Sequence, residues 1–532
     1  MPPTISLTPA TLKAFFDEVA LLIGEDNVSR DHSSGALTGA LAQTTYGNAF
    51  SKADTNLLAG AVRPETVQEV QEIIKLANKH QVYLWTRQEP WLRWYWTRRQ
   101  RDRGAGRAPH DPDIEINEEY GYAILEPGVL FLDLYEEIQR RGLKLWPSVP
   151  AIGWGSVVGN TLDRGFGYTP NGEHSQSQCG MEVVLPDGTL LRTGSGAMSD
   201  NATWALYKSG FGPSLDGLFY QSNLGIVTKI GMHITPAPEA YATVEVDVPL
   251  ESDLIPLVGT LSDLMRRSII LNSPSIANIF RIALTSEKPE VLSQIGPYMK
   301  ADSCVPYDLL ERIRVEERWG FWRAYFSLYG SVEMLSALKA TSVPSDKAVP
   351  GVQFKYREWA GLPGAALLAA EDIKTEVVPH SGIPTVEPLG IVDLRGERGG
   401  GHICFSPVIP PSGRELYDWY LAAKKRTADA KFDFFADFHV YPRYVIAIDL
   451  VIYTMGEEQR LHELYKQLLH DAGEQRFMEY RTQVGYMDTV ASKLDFNDFA
   501  FGKFVQTLKD TFDPNGVLSP GKSGVWVTGR NM

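Results

Sequence analysis

Cysteine is scarce in this chain: 3 among 532 residues, Cys179, Cys304 and Cys404. Three thiols cannot build a disulfide framework. No Cys-x-x-Cys pair is present, so no thiolate zinc site is expected. This usage suits a reducing compartment. Long apolar runs are absent too. No stretch approaches ~18 apolar residues, so no segment is expected to span a membrane. The N-terminus, Met1-Pro2-Pro3-Thr4, lacks a basic segment followed by an apolar run, and no secretory signal is expected. The last residues, Gly529-Arg530-Asn531-Met532, are not a Ser-Lys-Leu peroxisomal address. The expected location is therefore the cytoplasm. Positive charge is in deficit, with 51 Lys+Arg against 65 Asp+Glu and a net charge of -14. That balance disfavours a polyanionic partner, so nucleic acid is not expected. Internal repeats and low-complexity tracts are also missing.

What remains is ordinary for a soluble enzyme, with 44% hydrophobic and 22% charged residues. At ~150 residues per domain, the length predicts two to four domains. Residues 9 to 24 read as an amphipathic helix capped by Thr8, with Leu12, Phe15, Phe16, Val19 and Leu22 on one face. Ala59 to Val62 reads as a strand. A second helix follows Pro64-Glu65-Thr66, with Val67, Val70, Ile73, Ile74 and Ala77 together. Val82 to Trp85 then reads as a buried strand, which makes an α/β unit. Further on, Tyr122 to Leu125 is a strand and Leu132 to Arg141 a helix stopped by Gly142. Met181 to Leu185 and Thr189 to Arg192 form a strand pair around Pro186-Asp187-Gly188. Pro236-Ala237-Pro238 marks a boundary. Beyond it, strands such as Ala242 to Val248 alternate with helices such as Leu254 to Arg267, which predicts a second α/β domain.

The densest chemical signal is Gly153-Trp154-Gly155-Ser156-Val157-Val158-Gly159-Asn160, followed by Gly165-Phe166-Gly167-Tyr168. Glycines at this density let the backbone approach a planar or phosphorylated ligand. A set of tight turns reads equally well from spacing alone.

Taken together, several segments resemble the vanillyl-alcohol oxidase and 4-cresol dehydrogenase family of flavoproteins. They are Ala151 to His174, Cys179 to Leu185, Gly212 to Phe219, Gln221 to Lys229, Glu479-Tyr480-Arg481-Thr482 and Asp513 to Gly524. The resemblance implies an α+β fold: a PCMH-type FAD-binding domain of two subdomains, plus an α/β cap domain with a large antiparallel sheet. It places the FAD domain at 1–236, the cap at 237–499, and a tail returning to the FAD domain at 500–532.

The resemblance also assigns roles. FAD is the expected cofactor, held covalently through His402, in Gly399-Gly400-Gly401-His402. Alone, that histidine reads as a loop residue. Tyr480 and Arg481 match a pair that binds the phenol, where a cation and a hydroxyl favour the phenolate; alone, they read as a surface strand. The phenolate then pushes electrons through the ring, hydride leaves the para benzylic carbon for flavin N5, and a quinone methide remains. Tyr168 matches a tyrosine close to the flavin. Ser156, Val157, Gly159 and Asn160, with Gly225, Ile226 and Val227, are further expected cofactor contacts. Lys522 matches a basic residue near the ring's pyrimidine edge, or is a solvated lysine.

Two departures stand out. Ala151 occupies a position where the oxidases carry aspartate. The 4-cresol dehydrogenase type also lacks aspartate there and uses an acidic residue from the opposite wall. Asp437, in Phe434-Phe435-Ala436-Asp437-Phe438, is the candidate. An aspartate among phenylalanines costs energy to bury unpaired, which predicts a raised pKa; a place on the solvent face is the alternative.

The second departure is larger. Family members follow the strand matching Val82 to Trp85 with a glycine-rich pyrophosphate loop, Gly-Arg-Asn-Leu-Gly-Tyr-Gly-Gly. Here the run is Arg87-Gln88-Glu89-Pro90-Trp91-Leu92-Arg93-Trp94-Tyr95-Trp96. Tryptophan is TGG, so a frame moved on by one base must read glycine at 91, 94 and 96. The moved frame permits the family loop, and the family pattern resumes at Ile114. Residues 87–113 therefore read as frame-shifted, and bulky indoles there predict weak FAD binding. A genuine basic insertion is the alternative.

The expected function is FAD-dependent oxidation of 4-alkylphenols or 4-hydroxybenzyl alcohols, with O2 as acceptor. The expected partners are the small phenolic substrate, O2 and further copies of the chain, as a homodimer or higher homo-oligomer. A dehydrogenase passing electrons to a cytochrome is the second reading, which Ala151 and Asp437 favour and the missing signal disfavours. An inactive flavin-fold remnant is the third.

Overall fold

The structure is a computed structural model that describes residues 8–30, 59–85, 114–286, 288–342, 349–361, 378–395 and 401–529. Residues 87–113, read above as frame-shifted, lie outside the described residues.

The first helix, Pro9–Ile23, is capped by Thr8, whose hydroxyl accepts from the Thr11 N–H at 3.1 Å. Phe15, Phe16, Val19 and Ile23 are its buried face. Leu22, expected there, points out at 38% exposure. Ile23, four residues after Val19, takes its place because i and i+4 share a helix face. The next helix, Val67–His80, opens with a reciprocal capping box between Thr66 and Glu69. These two helices share a core with Val82, Leu84, Val517 and Leu518. The expected strand at Val82 to Trp85 is reduced to one parallel bridge. The Leu84 N–H donates to the Val517 carbonyl at 2.7 Å, and the Leu84 carbonyl accepts from the Ser519 N–H at 2.7 Å. The C-terminal segment thus closes the N-terminal core.

A five-stranded sheet follows in the order Ile114–Asn117, Tyr122–Leu125, Ile226–His233, Gln178–Val184, Leu190–Arg192. A larger, nine-stranded sheet takes its strands from Ala240–Val248 to Met478–Glu479. Its central strands run Ala240–Val248, Trp322–Gly330, Ser275–Asn278, Phe435–Val440, Val445–Tyr453, with Gly401–Phe405 also pairing the last. The named pairings in both sheets are antiparallel. Alternation of strands and helices suggested α/β units, but parallel pairing does not follow from alternation alone. Here the helices are gathered on the sheet, and the class is α+β.

Side chains alternate between the faces of a sheet, so pairing register tells which residues share one. Ala436, Phe438, Val440, Ala447, Val451, Ile403 and Phe405 lie in the large apolar core. That core continues into helices Leu254–Arg266, Gly413–Asp429 and Glu458–Glu474, through Leu257, Leu261, Leu416, Trp419 and Leu464. The residues between them face the other way. Asp437 pairs with Ala277 and Ile448, His439 with Ser275 and Ile446, His402 with Ile452 and Cys404 with Leu450. His402, Cys404, Asp437 and His439 therefore share one face of the sheet, opposite to Ile403, Phe405, Ala436 and Phe438.

Candidate active site

Tyr480 and Arg481 follow the edge strand Met478–Glu479. The Tyr480 N–H donates to the Ser406 carbonyl at 3.0 Å, and the Tyr480 carbonyl accepts from Gln221 Nε2 at 2.9 Å. The pair is thus tied to both the cap and the N-terminal half. The Arg481 guanidinium lies 5.2 Å from the Tyr480 ring centroid. Burial pushes the Tyr480 phenol up, while Arg481 works against that.

Arg481 Nε lies 3.5 Å from Asp163 Oδ2, and Lys522 Nζ lies 3.7 Å from Asp163 Oδ1. Two cations from distant segments thus converge on one carboxylate at the end of helix Val157–Leu162. Asp163 was not foreseen. It lies inside the quoted run, but nothing in its spacing sets it apart.

The glycine-rich segment proves to be crowded by protein atoms. A Cβ on Gly165 would sit 2.1 Å from Asn160 Oδ1, and one on Gly167 would sit 2.3 Å from Ser148 Oγ. Ser156 caps the helix, accepting from the Gly159 N–H at 3.2 Å and donating to the Pro127 carbonyl at 2.6 Å. The Val157 N–H donates to the Val129 carbonyl at 3.0 Å. Asn160 Oδ1 lies 2.7 Å from His174 Nδ1, and His174 Nε2 lies 2.9 Å from Ser148 Oγ. Burial pushes this imidazole down to about 3, with Arg481 adding to the effect. His174 is therefore neutral, donating to Asn160 and accepting from Ser148. Gly225 has no room for a side chain, since its Cβ would meet Val183 Cγ1 at 2.6 Å. Ile226 and Val227 bury their side chains in two different cores. The polar groups of Ser156 and Gly159 are thus used within the protein, and the tight-turn reading accounts for much of this glycine pattern.

Tyr168 is buried where the loop meets the cap. Its ring stacks on His380 at 5.4 Å and meets His439 edge-on at 5.6 Å. Its carbonyl accepts from Asn272 Nδ2 at 3.0 Å. Burial pushes its phenol well up, and Asp437 and Tyr480 add to that. Tyr168, Tyr480 and Asp437 are therefore electrostatic neighbours.

Asp437 corrects the expectation of a raised pKa. Burial does oppose its charge, but the Arg281 guanidinium pairs with it and His439 Nε2 lies 3.1 Å from Oδ1. Together they hold the carboxyl well below its ordinary range. His402 lies on strand Gly401–Phe405, and burial pushes its imidazole down to about 4, so it is neutral. Burial pushes its neighbour Cys404 up to about 12, so that group is a thiol. Glu479, beside Tyr480, accepts from the Tyr465 hydroxyl at 2.6 Å, and burial pushes it up to about 7.

These groups suit a flavin. A neutral imidazole keeps a ring nitrogen able to form a bond to the ring system. Arg481 and Lys522 outnumber Asp163, which leaves positive charge for a reduced, anionic ring.

A family profile described as an FAD binding domain matches residues 111–194. The match opens beside the point where the family-like pattern resumes. The flavoprotein subunit of 4-cresol dehydrogenase (hydroxylating) from Pseudomonas putida is 31% identical, over 88% of this chain and 88% of that one. The chain belongs to the vanillyl-alcohol oxidase and 4-cresol dehydrogenase family. Two solved structures of this family overlay nearly the whole chain. p-Cresol methylhydroxylase with substrate bound has a TM-score of 0.83 at 28% identity, covering 99% of each chain. The 4-ethylphenol oxidase of Gulosibacter chungangensis, as its isoeugenol complex, has a TM-score of 0.83 at 25% identity, covering 98% and 99%. As a member, the chain is an FAD-dependent oxidoreductase. No helix among the described residues is long and apolar enough to cross a membrane.

Proposed function

We propose that this enzyme oxidises para-substituted phenols. Tyr480 and Arg481 bind the phenol oxygen and favour its ionised form, and Asp437 supplies a fixed negative charge in the same neighbourhood. When bound, FAD accepts the hydride that leaves the para benzylic carbon. His402 would hold the ring, and Lys522 and Arg481 would favour its reduced form. The observation that carries the reading is the convergence of Arg481 and Lys522 on Asp163, with the Arg481 guanidinium over the Tyr480 ring. The 31% identity to a cresol-oxidising flavoprotein supports it.

O2 is the proposed acceptor, and the similarity to a 4-ethylphenol oxidase supports that choice. Transfer to a protein partner is the second reading. Ala151 and the likeness to a dehydrogenase flavoprotein subunit favour it. Self-association as a homodimer or larger assembly is part of the proposal. Reduction of the FAD-loaded enzyme by 4-ethylphenol without air, followed by mixing with air, separates the readings. Immediate reoxidation with H2O2 release is expected. Persistent reduction in air contradicts the oxidase assignment. Failure of every 4-alkylphenol to reduce the enzyme contradicts the function itself.

A further inference from the structure

His380 carries a donor that meets no acceptor among the described residues. The residue is fully buried, and its Nε2 has no hydrogen-bond partner there. The other ring nitrogen is used. Nδ1 lies 2.9 Å from Ser327 Oγ and 3.4 Å from Asn272 Nδ2. Two backbone contacts orient the Asn272 amide: Oδ1 accepts from the Ser327 N–H at 3.0 Å, and Nδ2 donates to the Tyr168 carbonyl at 3.0 Å. The amide group facing Nδ1 is therefore the NH2, which only donates. Burial holds the imidazole neutral, pushing it down to about 3, and the neighbouring His439 adds to that. A neutral imidazole that accepts at Nδ1 carries its proton on Nε2. Buried donors are paired in the great majority of cases, so this one marks a place that a bound molecule completes.

The donor is held in place from three directions. The His380 carbonyl accepts from the Tyr329 hydroxyl at 2.8 Å, the ring stacks on Tyr168 with centroids 5.4 Å apart, and Nδ1 is tied to Ser327. His380 comes from the segment Val378–Ser381, outside the sheet, yet it sits over the sheet face that carries the site. Ser327 lies two residues beyond Tyr325, Tyr325 pairs with Ser275, and Ser275 pairs with His439. Ser327 and His439 thus share one face, and Ser327 holds His380 against it.

A ring held by its oxygen at Tyr480 and Arg481 points its para substituent away from them. Tyr168 is an electrostatic neighbour of Tyr480 and packs its own ring on His380. Resting on the phenol-oxidation reading above, we propose that His380 selects phenols whose para side chain carries an oxygen, by donating from Nε2 to that oxygen. His380 takes no part in hydride transfer. It decides which phenols are preferred, because a side chain without an acceptor leaves the buried N–H unpaired.

Two probes differ only in a hydroxyl for a methyl at the same position: 4-(2-hydroxyethyl)phenol and 4-propylphenol. Their kcat/KM values are measured for FAD-loaded wild type, His380→Phe and His380→Gln, with the flavin absorbance spectrum and FAD affinity of each protein. Wild type should favour the hydroxyl compound by about tenfold or more. His380→Phe keeps a ring against Tyr168 but has no donor, and should abolish that preference. His380→Gln offers an amide N–H in place of Nε2 and should retain most of it. The flavin spectrum and FAD affinity should be the same in all three. Equal kcat/KM for the two probes in wild type overturns the proposal, whether or not the variants fold. So does a preference that survives in His380→Phe, which would mean that water meets the donor. A changed flavin spectrum or FAD affinity in His380→Phe, with the preference intact, overturns it in favour of a contact to the cofactor. Oxidation of 4-propylphenol without selection sinks this inference and leaves the phenol reading standing. If no 4-alkylphenol reduces wild type, the phenol reading fails first and takes this inference with it.

Discussion

Arg281 pairs with Asp437 on the face of the cap sheet that also carries His402 and His439. Without that guanidinium, His439 alone would oppose burial, and the carboxyl's pKa would rise. In Arg281→Gln, Asp437 should therefore take up a proton nearer neutral pH. The kcat/KM profile for a 4-alkylphenol should gain an acid limb that wild type lacks. An unchanged profile would show that the charge of Asp437 is irrelevant to turnover.

Glu479 should make stability depend on pH. It is pushed up to about 7 in the fold, against about 4.3 unfolded. The folded chain therefore holds a proton there that the unfolded chain has lost. That contribution is complete below the unfolded value and is lost as pH rises through about 7. A tenfold difference in proton affinity between the two states is worth about 1.4 kcal/mol. Glu479→Gln should gain on wild type by roughly 3 kcal/mol between pH 4 and pH 8. Urea midpoints at the two pH values measure the difference.

A buried clamp holds the segment ahead of His402. Arg395 is 1% exposed and reaches both oxygens of Glu457, at 3.1 and 3.2 Å, together with Asp433 at 3.4 Å and the carbonyls of Ser303 and Lys431. Breaking a buried pair from one side typically costs about 3–5 kcal/mol, because a charge is left unpaired. Arg395→Met should lower the thermal midpoint of the cap by several degrees, and calorimetry reads it.

His402 is proposed to carry FAD covalently. Acid precipitation of the loaded protein should give a yellow pellet, and His402→Ala should give a colourless one. Colour retained by the alanine variant would place the linkage elsewhere.

The stretch from 87 to 113 makes a separate prediction. Protein made from the printed sequence should carry far less than one FAD per chain. A gene moved on by one base over that stretch should restore a stoichiometry near one. Full occupancy with the printed residues would contradict the frame-shift reading, as would an uninterrupted gene sequence confirming the printed codons.

The α+β class and the family were legible because they rest on long, specific runs such as Gln221 to Lys229 and Asp513 to Gly524. Tyr480 and Arg481 were singled out for the same reason, and their role remains the proposal made above. The charge of Asp437 was not, because its partner Arg281 lies 156 residues away and no local pattern links them. The single bridge of Leu84 was misread as a regular strand because Leu518, its partner, comes from the other end of the chain. The glycines at 165 and 167 correctly signalled close approach. What approaches them includes Asn160 and Ser148, and spacing does not distinguish a side chain from a ligand.

The account depends most on an ionisable phenol oxygen meeting Tyr480 and Arg481. FAD-loaded enzyme mixed without air with 4-ethylphenol should lose its oxidised flavin absorbance, whereas 4-ethylanisole, whose methyl ether cannot ionise, should leave it unchanged. Equal bleaching by the two compounds, or none by the phenol, would contradict the account.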